Sequence, residues 1–309
     1  MSNLNTTSFT YNSSISYSPI FTTRTFPIFN RPKYLFTKKN YQFFECCRCR
    51  LVFVPFSPEK GFFDKLYSKS YFADENAGGY GDYAVEKEAV EQAALKRVRK
   101  LNALRAGSRK LLEIGCAFGY FLGKAKDCFD VSGVELSDYA AKYAREQLGL
   151  NVIKGSIEEA SFAESSFDVV VMWDVIEHIP SPVLALKEIN RVLRSGGLLA
   201  LSTPDISSLI SRIQGKSWRL YDPPYHLNYF SRKTICKLLE STGFRILKIE
   251  HCWEYHSMQY LCHALCLYYN NIVCRSIKKI IERTIFRNLM IPVTCLDIVT
   301  VYALKESEV

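Results

Sequence analysis

The middle of this 309-residue chain predicts an α/β fold with a mostly parallel sheet covered on both faces, and three observations carry that prediction. From Lys110 onward, strand-like apolar runs alternate with stretches of helical length, which is the pattern of strands joined by crossover helices. Runs such as Val169-Val170-Val171 are apolar without alternation, as strands buried on both faces are. The first run, Leu111-Leu112-Glu113-Ile114, ends in Gly115-Cys116-Ala117-Phe118-Gly119. A strand that ends in a Gly-rich turn and opens a helix is how α/β folds bring backbone N–H groups against a ligand.

The elements follow in order. Residues 1–40 are rich in Ser, Thr, Asn and Tyr and precede the first acidic residue, Glu45. That composition reads as a flexible tail, with an organelle-import segment as the alternative. The strand-like YQFFECCRCRLVFVPFSP then opens a small β module over residues 41–83. Apolar positions at 85, 89/90, 94, 98 and 101 make Ala84–Leu104 an amphipathic helix closed by Gly107, the leading helix of a core over 84–255. Core strands are expected at Lys110–Ile114, Asp130–Glu135, Asn151–Lys154, Phe167–Trp173, Gly197–Ser202 and Arg245–His251, with helices near 119–127, 138–148, 182–194 and 232–241. Residues 256–296 break the rhythm as a helical insertion, basic at 275, 278, 279, 283 and 287. It suits a substrate lid, a dimer face or a basic helix touching a membrane surface. Asp297–Leu304 returns to a strand, within a final segment of 297–309.

Composition bounds the function classes. The net charge of +9 is concentrated at the N-terminus: residues 1–60 carry +6, residues 61–250 only +2 and residues 251–309 +1. The body that would hold a duplex is nearly neutral, so charge gives no argument for nucleic acid. Eleven cysteines at irregular spacing, without a secretory apolar segment, read as reduced thiols in a cytoplasmic setting. The longest apolar run, Tyr260 to Cys274, is interrupted by His263, Asn270 and Asn271 and falls short of the roughly 18–20 residues of a membrane span.

The Gly-rich turn has the spacing G-x-x-x-G, with Ala117 where a dinucleotide fingerprint would place its middle glycine. Close approach of a pyrophosphate is disfavoured there. Glu135, twenty residues after Gly115, closes the next strand, where a carboxylate can take both hydroxyls of a ribose. Together these features point to a nucleoside-containing cofactor.

LLEIGCAFGYFL, VSGVELS, FDVVVMWDVIEHIPSPVLALKEINRVLRSGGLLALSTP and HLNYFS, in that order, resemble the class I S-adenosylmethionine-dependent methyltransferases, in particular the broad group that includes the ubiquinone-pathway O-methyltransferases. The resemblance covers about residues 105–250 and the last strand. It implies a Rossmann-like fold with an antiparallel final strand, and S-adenosyl-L-methionine as cofactor. It further implies that Glu113, Gly115, Cys116, Ala117 and Gly119 surround the methionine end, that Glu135 binds the ribose with Leu136 against the adenine, that Ser156 and Ile157 contact the adenine ring, and that Asp174 sits at the mouth. Many relatives carry Asp where this chain has Ser156. The acceptors of this group include quinols, sugars, lipids and other metabolites, so a small-molecule or lipid-like acceptor is implied, in a monomer or homodimer.

An acceptor hydroxyl needs a base, and His178 and His226 are the candidates, each set against the alternative of a hydrogen-bonded loop histidine. Some relatives carry E-x-x-E-H as a divalent-metal site where this chain has Asp174, Glu177 and His178; others share the string without a metal, and none is assigned. Cys46 and Cys49 resemble one knuckle of a zinc ribbon. Four ligands close such a site, and residues 1–45 hold neither Cys nor His, so the module reads as a degenerate ribbon. Asp222-Pro223-Pro224-Tyr225 spells the motif of DNA amino-methyltransferases. The stretch before it, Gln214 to Leu220, is too polar for the strand that motif must follow. A non-catalytic cofactor-binding protein is the remaining alternative, against which Glu113, Glu135 and Asp174 are all retained.

Overall fold

The computed structural model describes residues 32–56, 59, 61–73, 87–105, 107, 109–258, 262, 266 and 272–306. Residues 1–31 of the expected tail, 84–86 of the leading helix and most of 259–271 lie outside the described residues. The chain opens with strands β1 (Lys33–Lys38) and β2 (Tyr41–Glu45), followed by β3 (Val52–Phe53). Lys39 and Asn40 join the first two at φ of 50° and 65°, the left-handed pair that a tight hairpin needs. The module thus starts at Lys33, inside the expected tail, and it continues into two short helices, α1 (Phe62–Leu66) and α2 (Lys69–Ala73).

The leading helix is α3 (Lys87–Leu104). Then β4 (Lys110–Ile114), α4 (Tyr120–Ala125), β5 (Asp130–Glu135), α5 (Asp138–Leu148), β6 (Val152–Lys154), β7 (Phe167–Trp173), α6 (Pro182–Val192) and β8 (Leu193–Pro204) alternate as the periodicity requires. After them come α7 (Leu209–Gln214), β9 (Asn228–Tyr229), α8 (Arg232–Ser241), β10 (Phe244–Ser257), α9 (Ile272–Glu282) and β11 (Met290–Lys305). Ser137 caps α5 by accepting from the Ala140 N–H, and Ser231 with Thr234 forms a capping box on α8, the short-polar starts that helices favour.

The seven-stranded sheet has the order β10-β11-β8-β7-β4-β5-β6. Strands β4 to β8 are mutually parallel, and β11 is antiparallel to both of its neighbours, as the family resemblance implies. Alternate residues of each strand enter opposite layers. Leu112, Val170 and Met172 pack with Leu186, Ile189 and Leu239. Leu111, Val169 and Val171 pack with Val98, Leu101, Leu122 and Ala141. The strand order reverses between β4 and β7, and the crevice at the carboxyl ends of such a pair is where open α/β sheets bind ligands.

The second sheet has the order β1-β2-β3-β9. Its last strand is the Asn228-Tyr229 of HLNYFS, which pairs with β3 and ties the N-terminal module to the core. Phe43, Val52, Trp218, Tyr221 and Tyr229 bury its inner face. Strand β11 starts at Met290, earlier than the Asp297 the sequence pattern suggests, because it first pairs with the extended end of β10 as a two-stranded ribbon.

Candidate active site

The loop after β4 is shaped by positive-φ residues: Gly115 at 69°, Ala117 at 47° and Gly119 at 80°. A Cβ on Gly115 would stand 2.6 Å from a methyl of Val175, and one on Gly119 would stand 2.5 Å from Leu150. The glycines are required by backbone conformation and close packing together. Ala117 accepts the left-handed conformation, which costs a non-glycine residue about 1–2 kcal/mol. Its N–H donates to Glu135 Oε2 at 2.8 Å. Cys116 is buried beneath the loop.

Glu135 ends β5 as a buried carboxylate whose Oε1 accepts from the Ser137 N–H at 2.8 Å. Burial raises its pKa, and the N–H donors of Ser137 and Ala117 pull against that shift. Each oxygen keeps a further lone pair. Glu113, on the neighbouring strand, is also buried, and its Oε2 has no hydrogen-bond partner. Burial pushes its pKa well up, opposed by the charge of Arg97, whose guanidinium lies 4.4 Å from the Trp173 ring centroid. The donor set therefore fits S-adenosylmethionine: two buried acidic groups with spare acceptor capacity flank a loop of tightly constrained backbone. Leu136 is half-buried and Ile157 fully buried. Ser156 is engaged locally, its N–H donating to Glu159 Oε2 at 2.9 Å and its Oγ accepting from the Glu159 N–H at 3.3 Å.

Asp174 follows β7 at φ 56°, pinned by Ser202, whose hydroxyl donates to Asp174 Oδ1 at 3.0 Å. The turn that follows brings Glu177 and His178 against a segment the sequence reading left separate. The Leu227 and Asn228 N–H groups both donate to the Glu177 carbonyl, at 2.9 and 3.0 Å. This sets His226 against His178, with ring centroids 4.7 Å apart in an edge-on arrangement.

His178 Nδ1 lies 2.9 Å from the Tyr225 carbonyl, and His226 Nδ1 lies 2.7 Å from the Leu220 carbonyl. A carbonyl only accepts, so each Nδ1 carries a proton, which leaves a lone pair on Nε2 of neutral His226, while the His178 ring also faces the Asp174 carbonyl. Burial lowers both pKa values, that of His178 to about 3 with His226 as a further cause. Glu177 is buried, with Oε2 accepting from Thr203 Oγ1 at 3.0 Å and Oε1 unpartnered. Burial, and then the charge of Asp174, raise its pKa well above normal. One ligand atom each from Glu177, His178 and His226 lies within 4.8 Å of the others, the one set among the described residues with the convergence a metal needs. The cluster takes His226 in place of the Asp174 of the D-x-x-E-H string, for which no metal was assigned.

Helices α1 and α2 cover the site. Ser137 Oγ donates to the Tyr67 carbonyl at 2.5 Å, Tyr67 Oη lies 3.2 Å from His178 Nδ1, and Phe72 stacks on Phe118 with centroids 5.3 Å apart. Tyr71 meets Tyr225 at 5.4 Å. Tyr67, Tyr71 and Phe72 escaped the sequence reading; the run FFDKLYSKSYF was the available signal. Asp222 is paired with Lys39 in the β1–β2 turn and so serves the joint between the two sheets.

Residues 87–249, just over half of the chain, match the model of the methyltransferase domain family. A Mycolicibacterium smegmatis protein named "probable S-adenosylmethionine-dependent methyltransferase" is 30% identical over 150 residues, which are 47% of this chain and 55% of that protein. The ubiquinone biosynthesis O-methyltransferase of Parvibaculum lavamentivorans is 28% identical over 131 residues, 40% of this chain and 50% of that protein. The chain thus spans about half the length of each of these relatives. A chain from the Haloferax volcanii complex formed with the Trm112 methyltransferase activator superposes with a TM-score of 0.51, covering 74% of this chain and 96% of that one at 13% identity. That structural likeness concerns the fold. With the reversal point, the Gly-rich loop and Glu135 in place, the match settles kinship: this chain belongs to the methyltransferase domain family, with the class I, Rossmann-like fold.

Proposed function

We propose that the chain is an S-adenosylmethionine-dependent methyltransferase that methylates a hydroxyl of a small, aromatic or lipid-like acceptor. The observation that carries this reading is the pair of buried imidazoles, each tied through Nδ1 to a backbone carbonyl, beside buried Glu177 at the mouth of the crevice. The name of the P. lavamentivorans relative, a ubiquinone biosynthesis O-methyltransferase, and the aromatic cover of Tyr67, Tyr71 and Tyr225 support an acceptor of this kind. When bound, S-adenosylmethionine supplies an electrophilic methyl group on a positively charged sulfur.

The protein's own tasks are alignment, exclusion of water and removal of one proton. Glu113, Glu135 and the loop between them hold the donor, while Tyr67, Phe72 and Phe118 close the crevice. With S-adenosylmethionine held there, His226 or His178 would take the proton of the acceptor hydroxyl as the methyl group is transferred. Glu177 stabilises the imidazolium that results. A reducing, cytoplasmic compartment would keep the cysteines as thiols. No described helix is long and apolar enough to cross a membrane.

Calorimetry with S-adenosylmethionine, followed by transfer of labelled methyl to a panel of quinols and phenols, tests this reading. His226→Gln and His178→Gln should leave cofactor affinity in place, and at least one should slow transfer by about 100-fold or more. Undiminished turnover in both variants removes the histidine base. Absence of cofactor binding by the native chain removes the methyltransferase reading.

A further inference from the structure

The far end of the β10–β11 ribbon carries features that methyl transfer does not use. Strand β11 pairs with β8 only from Ile298, opposite Pro204, to Leu304, opposite Leu198. Its earlier part, Met290 to Cys295, pairs with Ser257 to Cys252 of β10 alone. The ribbon therefore overhangs the sheet past Pro204, which is the carboxyl end of β8. Gly115, Glu135 and Asp174 stand at that same edge of the parallel strands, so α9 and the turn after it project on the side of the site.

What is carried there is apolar and cationic. Ile277, Ile280, Ile285, Phe286 and Leu289 are exposed by 47, 62, 90, 55 and 50%. At 100° per residue, Ile277, Ile280 and Ile281 share one face of α9, while Arg275, Lys279 and Arg283 lie toward the opposite one. Those three cations and Arg287 are exposed. Residues 272–289 hold five Lys/Arg against the single acid Glu282, which lies 3.7 Å from Lys278. Soluble surfaces rarely gather large apolar side chains in this way without an occupant. A helix of this kind lies in a membrane interface with its apolar face buried and its cations on the polar face, drawn there by anionic headgroups. An anionic, apolar-cored surface satisfies both halves of the pattern.

We propose that α9 and the Ile285–Leu289 turn dock the protein on an anionic phospholipid bilayer, with the mouth of the site facing the membrane. Docking stands on this face alone. Entry of the acceptor from the bilayer, which docking would permit, rests in addition on the methyl-transfer reading.

The test uses the full chain and flotation with vesicles of phosphatidylcholine, alone or with about 30 mol % phosphatidylglycerol. Binding is expected with the mixed vesicles only, and it should weaken in about 0.5 M NaCl. Each exposed cation is expected to contribute about fivefold to partitioning, so Lys279→Ala with Arg283→Ala should lose about 25-fold. Ile280→Ser with Phe286→Ser should lose binding by about tenfold or more. Both double variants should bind S-adenosylmethionine as the native chain does, which shows that they fold; failure of the native chain to bind it counts against methyl transfer and leaves docking standing. Equal binding to neutral and anionic vesicles, or native-like binding by either variant, overturns the proposal. A concentration-dependent dimer in sedimentation velocity that Ile280→Ser with Phe286→Ser abolishes also overturns it, since the face then belongs to a second copy.

Discussion

Glu135→Gln separates the loop-anchoring role of this carboxylate from its proposed contact with a ribose. In the native protein its oxygens accept from the Ala117 and Ser137 N–H groups, each at 2.8 Å. Gln keeps the shape and one acceptor oxygen, but turns an amide NH2 toward the other N–H. The loss of one charge-assisted hydrogen bond costs about 1.5–3 kcal/mol. Relief of a buried charge whose pKa burial has raised offsets part of that, leaving a loss of stability of about 1–2 kcal/mol. A ribose diol bound to the carboxylate loses its charged acceptor entirely, at a further cost of about 1.5–3 kcal/mol, or roughly 10–150-fold in Kd. Calorimetric titration with S-adenosylmethionine and urea unfolding of the same variant read the two effects separately. Affinity within about threefold of native, in a variant that unfolds near the native midpoint, would refute the ribose assignment.

Two other perturbations follow from the same geometry. Gly115→Ala should destabilise by about 2–4 kcal/mol in urea unfolding, from left-handed strain and overlap with Val175; adding Val175→Ala should recover the overlap part, and no recovery would mean that the Val175 contact is not the constraint. Glu177→Gln should raise stability by an amount that grows with pH. The folded-state pKa of Glu177 is raised above its ordinary 4.5 by burial and Asp174, so its contribution is full below that value and is lost as pH rises through the folded pKa; equal unfolding midpoints for variant and native chain at both about pH 5 and about pH 8 would contradict this.

Much of the core was legible in order and type because its signals are local. Val169 to Met172 are buried whichever neighbours they meet, and a strand running into Gly115 and Gly119 announces a turn of positive φ. Glu135 was legible from its distance along the chain, since one strand–helix–strand unit carries it to the same sheet edge as Gly115. Ala117, which seemed to weaken the motif, turns out to take the left-handed conformation itself and to anchor the loop on Glu135.

The wall that holds His178 and His226 was not legible in that way. Tyr67 reaches His178 across 111 residues, and Tyr225 reaches it across 47. Nothing in either neighbourhood encodes those distances, because they depend on β9 joining the N-terminal sheet and drawing His226 in beside Glu177. The order of apolar runs, helical stretches and Gly-rich turns determined the α/β core, its carboxyl edge and the place of Glu135 on it, since hydrophobic burial and turn geometry act over a few residues. Tertiary structure alone decided that Glu177, His178 and His226 converge under Tyr67. Their burial, their locked tautomers and their shifted pKa values arise from desolvation and hydrogen bonds between segments that only the fold brings together.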